Sequence, residues 1–100
     1  MEARVPTEIW VTAHLRQCTT KGIPAYVLNR GAPAAGTVMV KIVIRDKGCR
    51  LFNQARDGEG NLGWMDLYDG ETVDEPRVDQ YIQRTTLRDP DVWVIEVEDA

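Results

Sequence analysis

From Thr37 to Arg45 the chain reads as its clearest strand, and this stretch constrains the fold more than any other. Val38, Val40, Ile42 and Ile44 fall on one side, and Met39, Lys41, Val43 and Arg45 on the other. A period of two in β-branched residues predicts a strand. Asp46-Lys47-Gly48 follows with hairpin-turn chemistry, Gly48 supplying the positive φ that such turns need. The partner strand then runs from Cys49 to Arg56. With Lys47-Gly48 as a two-residue loop, Leu51 and Ala55 join the core face. Lys41, Arg45, Arg50, Phe52, Gln54 and Arg56 then share the opposite, open face. This assignment depends on register, because a slip of one residue exchanges the faces. Asp57-Gly58-Glu59-Gly60-Asn61 makes the next turn, and Leu62 to Tyr68 a further strand that brings Trp64 towards the open face.

A sheet with one apolar face requires cover, and two amphipathic stretches supply it. Pro6 and Thr7 start a helix that Gly22 stops, with Thr7 in the capping position. At 100° per residue, Trp10, Val11, His14, Leu15 and Cys18 share its inner face. Pro24 opens an extended segment, Ala25-Tyr26-Val27-Leu28, which ends in the turn-rich 31–36 stretch. A second helix runs from Glu75 to Leu87, capped by Asp74, with Pro76 in its first turn. Val78, Tyr81, Ile82 and Thr85 make its buried stripe. Asp89-Pro90 ends that helix, and Val92 to Glu98 forms the last strand. The expected fold is therefore α+β in the order α-β-β-β-β-α-β. It has a mainly antiparallel sheet of about five strands, four of them in a meander, with both helices packed on one face. The last strand pairs with the first or with the fourth. At 100 residues, one domain covers positions 1–100.

Several functions are removed by what the chain lacks. It contains no serine, so no Ser nucleophile exists, and it has no Gly-Lys-Ser/Thr to cradle phosphate. Its only histidine is His14. Gly58, Gly60 and Gly63 spell Gly-x-Gly-x-x-Gly, but a strand follows where dinucleotide binding needs a helix, so the segment reads as a turn. As a calcium loop it fails as well, with Leu62 at position six and Tyr68 at position twelve. Met1 leads into Glu2–Arg4 without a following apolar run, and no apolar stretch is long enough to span a bilayer. With two cysteines and no export signal, the expectation is a reducing cytoplasm and no membrane partner.

Three groups of residues carry chemistry worth weighing. His14 and Cys18, one helical turn apart, could share a metal with Cys49, or act as thiol and base; their apolar neighbours favour a core histidine beside a buried cysteine. The residues expected on the open face, Lys41, Arg45, Arg50, Phe52, Gln54, Arg56 and Trp64, interleave cations with aromatics. Such a surface can hold an acidic protein partner or stack bases against held phosphates. Its bland counterpart is a solvated sheet face on which arginine stems cover apolar surface. The net charge of −4 opposes nucleic acid at long range. That charge is unevenly spread, with +5 over residues 1–50 and −9 over residues 51–100.

Four segments resemble one small bacterial family. They are Glu8-x-Trp10-Val11-x-Ala13-His14-x-x-x-Cys18, Gly22-Ile23-Pro24-Ala25, Gln54-Ala55-Arg56-Asp57 and Asp89-Pro90-Asp91-x-Trp93-Val94-x-Glu96-x-Glu98-Asp99. Together they are similar to the domain-of-unknown-function family fourteen ninety-one of alphaproteobacteria. The resemblance implies a stand-alone cytoplasmic bacterial protein and carries no activity, ligand or cofactor with it. The resulting expectation is a non-enzymatic binding or interaction module without a cofactor, taking a protein partner or a second copy of itself as a homodimer. Nucleic-acid binding through the basic, aromatic face is the first alternative, and a metal- or thiol-dependent enzyme around His14, Cys18 and Cys49 is the second.

Overall fold

The computed structural model describes residues 6–56 and 58–99, with Arg56 described by its backbone alone. Glu2, Arg4, Asp57 and the Arg56 side chain, which entered the sequence reading, lie outside the described residues. The elements are α1 (Thr7–Thr20), β1 (Ala25–Asn29), β2 (Val38–Ile44), β3 (Gly48–Arg56), β4 (Leu62–Asp66), α2 (Glu75–Arg88) and β5 (Trp93–Asp99). The element order is as expected. The sheet order is β1-β5-β2-β3-β4, so the last strand is inserted in the middle. It pairs antiparallel with β1 and parallel with β2, and the meander is confined to β2, β3 and β4. The sheet is therefore mixed.

The helices lie on opposite faces of this sheet, which corrects the expectation that both cover one. Trp10, Val11 and Leu15 of α1 pack on Val38, Val40, Trp93, Ile95 and Val97. Val78, Tyr81 and Ile82 of α2 pack on Met39, Val43, Cys49, Leu51 and Val94. Neighbours along a strand point to opposite faces, so these are two cores separated by the sheet. A central parallel pair is covered on both sides and becomes apolar throughout. Accordingly Val92, Trp93, Val94 and Ile95 are buried in succession, as are Val38 and Met39.

Local chemistry explains most of the element ends. Pro6, not Thr7, is the N-cap of α1; the Thr7 hydroxyl instead donates to the Gly36 carbonyl across the fold at 2.8 Å. Asp74 occupies the α2 N-cap without a side-chain capping bond, and Pro76 sits in the first turn. The final strand is locked by its tryptophan. Trp93 Nε1 donates to the Ala32 carbonyl at 2.7 Å, and Asn29 Nδ2 donates to the Val92 carbonyl at 2.8 Å. Gly31 and Gly36 let the 31–36 turn approach this closely, because a Cβ at either would collide with the Asp91 carbonyl and crowd Trp93 Cδ1. The Asp-Pro-Asp-x-Trp-Val segment thus does structural work. Among the described residues no helix is long and apolar enough to cross a membrane.

Candidate functional site

Register decides which side chains meet. Ile44 pairs with Gly48, so the β2–β3 connection is the three-residue turn Arg45-Asp46-Lys47, with Asp46 at φ 64° and Gly48 at φ 117°. The expected two-residue loop is one residue short, and the faces of β3 exchange relative to β2 as register arguments require. Val40 opposes Phe52 and Ile42 opposes Arg50, while Lys41 opposes Leu51. Arg50, Phe52, Gln54 and Trp64 therefore do share a face, on the α1 side of the sheet. Arg56 occupies the same register face through its pairing with Leu62. Lys41 does not belong with them, since it lies on the α2 side. Arg45 sits exposed in the turn, outside both strands.

On the α1 side the core under the helix is made by β2 and β5 and, among the described residues, includes none from β3 or β4, so these two strands form a strip beyond it. At the border of this strip Trp10 stacks on His14, with ring centroids 5.1 Å apart and planes 5° from parallel. Trp64 of β4 leans on Trp10 with centroids 6.0 Å apart. Trp64 remains 47% exposed and Leu62, on the same face, 49%, while Met65, 50% exposed, lies on the opposite face. Within the strip the Arg50 guanidinium lies 4.9 Å above the Phe52 ring and donates to Asp66 Oδ2 at 2.6 Å. Its Nε is buried with no partner among the described residues. Asp66 also accepts the backbone N–H groups of Tyr68 at 3.0 Å and Gly70 at 2.8 Å. The Arg50 hydrogen bond and then these N–H groups hold its carboxyl below the ordinary range. Arg50 is therefore tied down, and this surface is more aromatic than cationic.

The Lys41 ammonium meets three carboxylates on the other side of the sheet, a cluster that the sequence reading missed. Nζ donates to Glu75 Oε2 at 2.6 Å and Asp79 Oδ1 at 2.7 Å, and pairs with Glu96 Oε1 at 3.0 Å. Burial alone pulls its proton affinity down, but the hydrogen bonds to Asp79, Glu75 and Glu96 outweigh burial and raise it above the usual lysine value. The signal available in sequence was Glu75 and Asp79 four residues apart on one helix face, facing a lysine inside an apolar strand.

The structure does not bring His14, Cys18 and Cys49 together. Cys49 belongs to the α2-side core and the other two to α1, with the sheet between them. Both thiols are buried and free, and burial pushes that of Cys49 up. Among the described residues no three His, Cys, Asp or Glu side chains are grouped to hold a metal ion. Gly63 lies in β4, so the Gly-x-Gly-x-x-Gly segment leads into a strand.

The model of a family described as proteins of unknown function, DUF1491, matches residues 5–100. A crystal structure of a DUF1491 family protein from Caulobacter crescentus is 38% identical, with a TM-score of 0.85, covering 96% of this chain and 89% of that one. An NMR structure of a DUF1491 family protein from the same organism is also 38% identical, with a TM-score of 0.84 over 98% and 88% of the two chains. A solution structure of a protein from A. tumefaciens shares the fold at 24% identity and a TM-score of 0.79, covering 98% of this chain and 88% of that one. No curated protein matches.

Proposed function

The chain belongs to the DUF1491 family of proteins of unknown function, and on that premise we propose that it is a non-enzymatic interaction module taking a protein partner on the α1 side of β3 and β4. The observation that carries this reading is Trp64. A tryptophan left 47% exposed, braced by Trp10 and flanked by half-exposed Leu62, is the kind of rigid aromatic anchor that dominates protein interfaces. Phe52 and Gln54 extend the surface inward along β3, with Arg50 over the Phe52 ring. Two features favour a protein over a nucleic acid: Arg50 is already neutralised by Asp66, and the net charge is −4. The two free thiols suit a reducing cytoplasm.

The test is site-specific photo-crosslinking in cells, with p-benzoylphenylalanine replacing Trp64 or, as control, Leu87, which is 77% exposed on α2. We expect a discrete protein adduct from position 64 that is missing from position 87. No adduct at position 64, or the same adducts from both, overturns the proposal. An adduct of twice the chain mass identifies the partner as a second copy.

A further inference from the structure

The sheet has two free edges, and they are not alike. β1 is broken by a bulge between Val27 and Asn29, which interrupts a continuous ladder for an incoming strand. β4 pairs with β3 without interruption from Leu62 to Asp66 and contains no bulge, no proline and no lysine. Leu67 N–H donates to the Leu51 carbonyl at 2.9 Å. Because hydrogen-bonded and non-bonded pairs alternate along an antiparallel ladder, Met65 and Gly63 turn their backbone groups to β3. Leu62, Trp64 and Asp66 turn theirs to the open edge. An open row of backbone groups therefore runs alongside the exposed Leu62 and Trp64 side chains on one face and Met65 on the other, and nothing lies within 4 Å of where a Gly63 side chain would be.

Charge selects the occupant. From Gly58 to Asp74 the chain has no lysine or arginine, yet it carries Glu59, Asp66, Asp69, Glu71 and Asp74. Asp66 is committed to Arg50, while Asp69 and Glu71 stand exposed just beyond the end of β4. A second copy would bring the same acids and another net charge of −4 to this edge, and a nucleic acid would bring phosphates. We infer that β4 accepts an extended, cationic peptide segment of a partner protein as an added strand, with the partner's apolar residues lying against Leu62 and Trp64. Strand addition takes affinity from main-chain bonds and selectivity from alternate side chains. The inference rests on the interaction reading above and adds to it the edge, the backbone mode and the charge of the partner.

Amide hydrogen exchange on the whole protein tests it, using a peptide of alternating lysine and valine and its glutamate–valine counterpart. We expect the lysine peptide to slow exchange at Leu62 and Trp64 in low salt, with loss of that protection at high salt, and the glutamate peptide to do neither. Leu62→Pro removes one outward N–H at a position where an edge strand tolerates proline, and should weaken binding about tenfold. Leu62→Ala keeps the N–H and should weaken binding less. Protection first at β1, equal binding of both peptides, or protection that rises with protein concentration alone overturns the inference. If that happens while crosslinks from position 64 persist, the interaction surface survives and only its strand-adding mode is lost.

Discussion

Lys41 and Arg50 come from neighbouring strands and point to opposite sides of the sheet, and their surroundings could hardly differ more. Lys41, 2% exposed beneath α2, is held by three carboxylates between 2.6 and 3.0 Å away. Arg50, 34% exposed beside α1, has one carboxylate, the face of Phe52 and a buried Nε with no partner among the described residues. An unpaired charge under a helix would cost several kcal/mol, so the covered side must satisfy its cation completely. The strip beyond the α1-side core is under no such demand and leaves its cation partly satisfied. The α2 side is built to hold the fold together, and the α1 side over β3 and β4 is built with surface to spare.

Removing each cation in turn is the most direct way to break this contrast. Lys41→Met strands three carboxylates, and we expect a loss of about 3 kcal/mol, the low end for a broken buried pair, because Glu75 and Asp79 are half in water and can rehydrate. Adding Glu75→Gln and Asp79→Asn to that variant should restore part of the loss, since like charges are no longer left together. Urea denaturation reads both; an unchanged midpoint for Lys41→Met would mean the cluster is mere decoration. Arg50→Met should cost about 0.5–1 kcal/mol, as a partly exposed ion pair and a cation–π contact are both screened by water. A loss as large as that of Lys41→Met would erase the distinction between the two sides.

The smallest effect is the sharpest in sign. The Asp66 carboxyl is lowered by Arg50, so its contribution to stability is present above the ordinary carboxylate range and disappears as the pH falls through its lowered value. The Lys41 proton is held more tightly than its ordinary 10.5, so its contribution is complete below that pH and is lost only as the pH rises through the higher folded value. Denaturation midpoints followed from acid to alkali should therefore show the Arg50→Met difference shrinking on the acid side. The Lys41→Met difference should persist through neutral pH and shrink on the alkaline side as Lys41 loses its proton.

Much of the fold was legible in the sequence because periodicity is local. Both helices and all five strands lie where the local pattern puts them, with β4 ending at Asp66 rather than Tyr68, and Val11, Leu15, Val78, Tyr81 and Ile82 of the two helical stripes pack into the cores. What was not legible depended on distant partners. One extra residue in the turn at Asp46 moved Lys41 to the α2 side, and a single φ of 64° is not written in alternation. The central place of β5 had a trace, the unbroken apolar run Val92 to Ile95, which marks a strand covered on both faces. Arg50, Phe52, Gln54 and Trp64 share one face, because their spacing within β3 and across to β4 follows the two-residue period. The aromatic border of that face carries no local signal: Trp10 packs on the α1-side core as its helical spacing requires, and its contact with Trp64 joins residues far apart in the chain.

One consequence of the strand order concerns the making of the protein. β5 follows every other described element in sequence, yet it is the only strand that touches both β1 and β2. As the nascent chain leaves the ribosome, the β2–β3–β4 hairpins can pair and α2 can close over them, while β1 waits with no neighbour. Until residues 93–99 arrive, β2 presents a bare edge to every other chain nearby, so synthesis itself exposes a sticky half-sheet that only the last strand can seal.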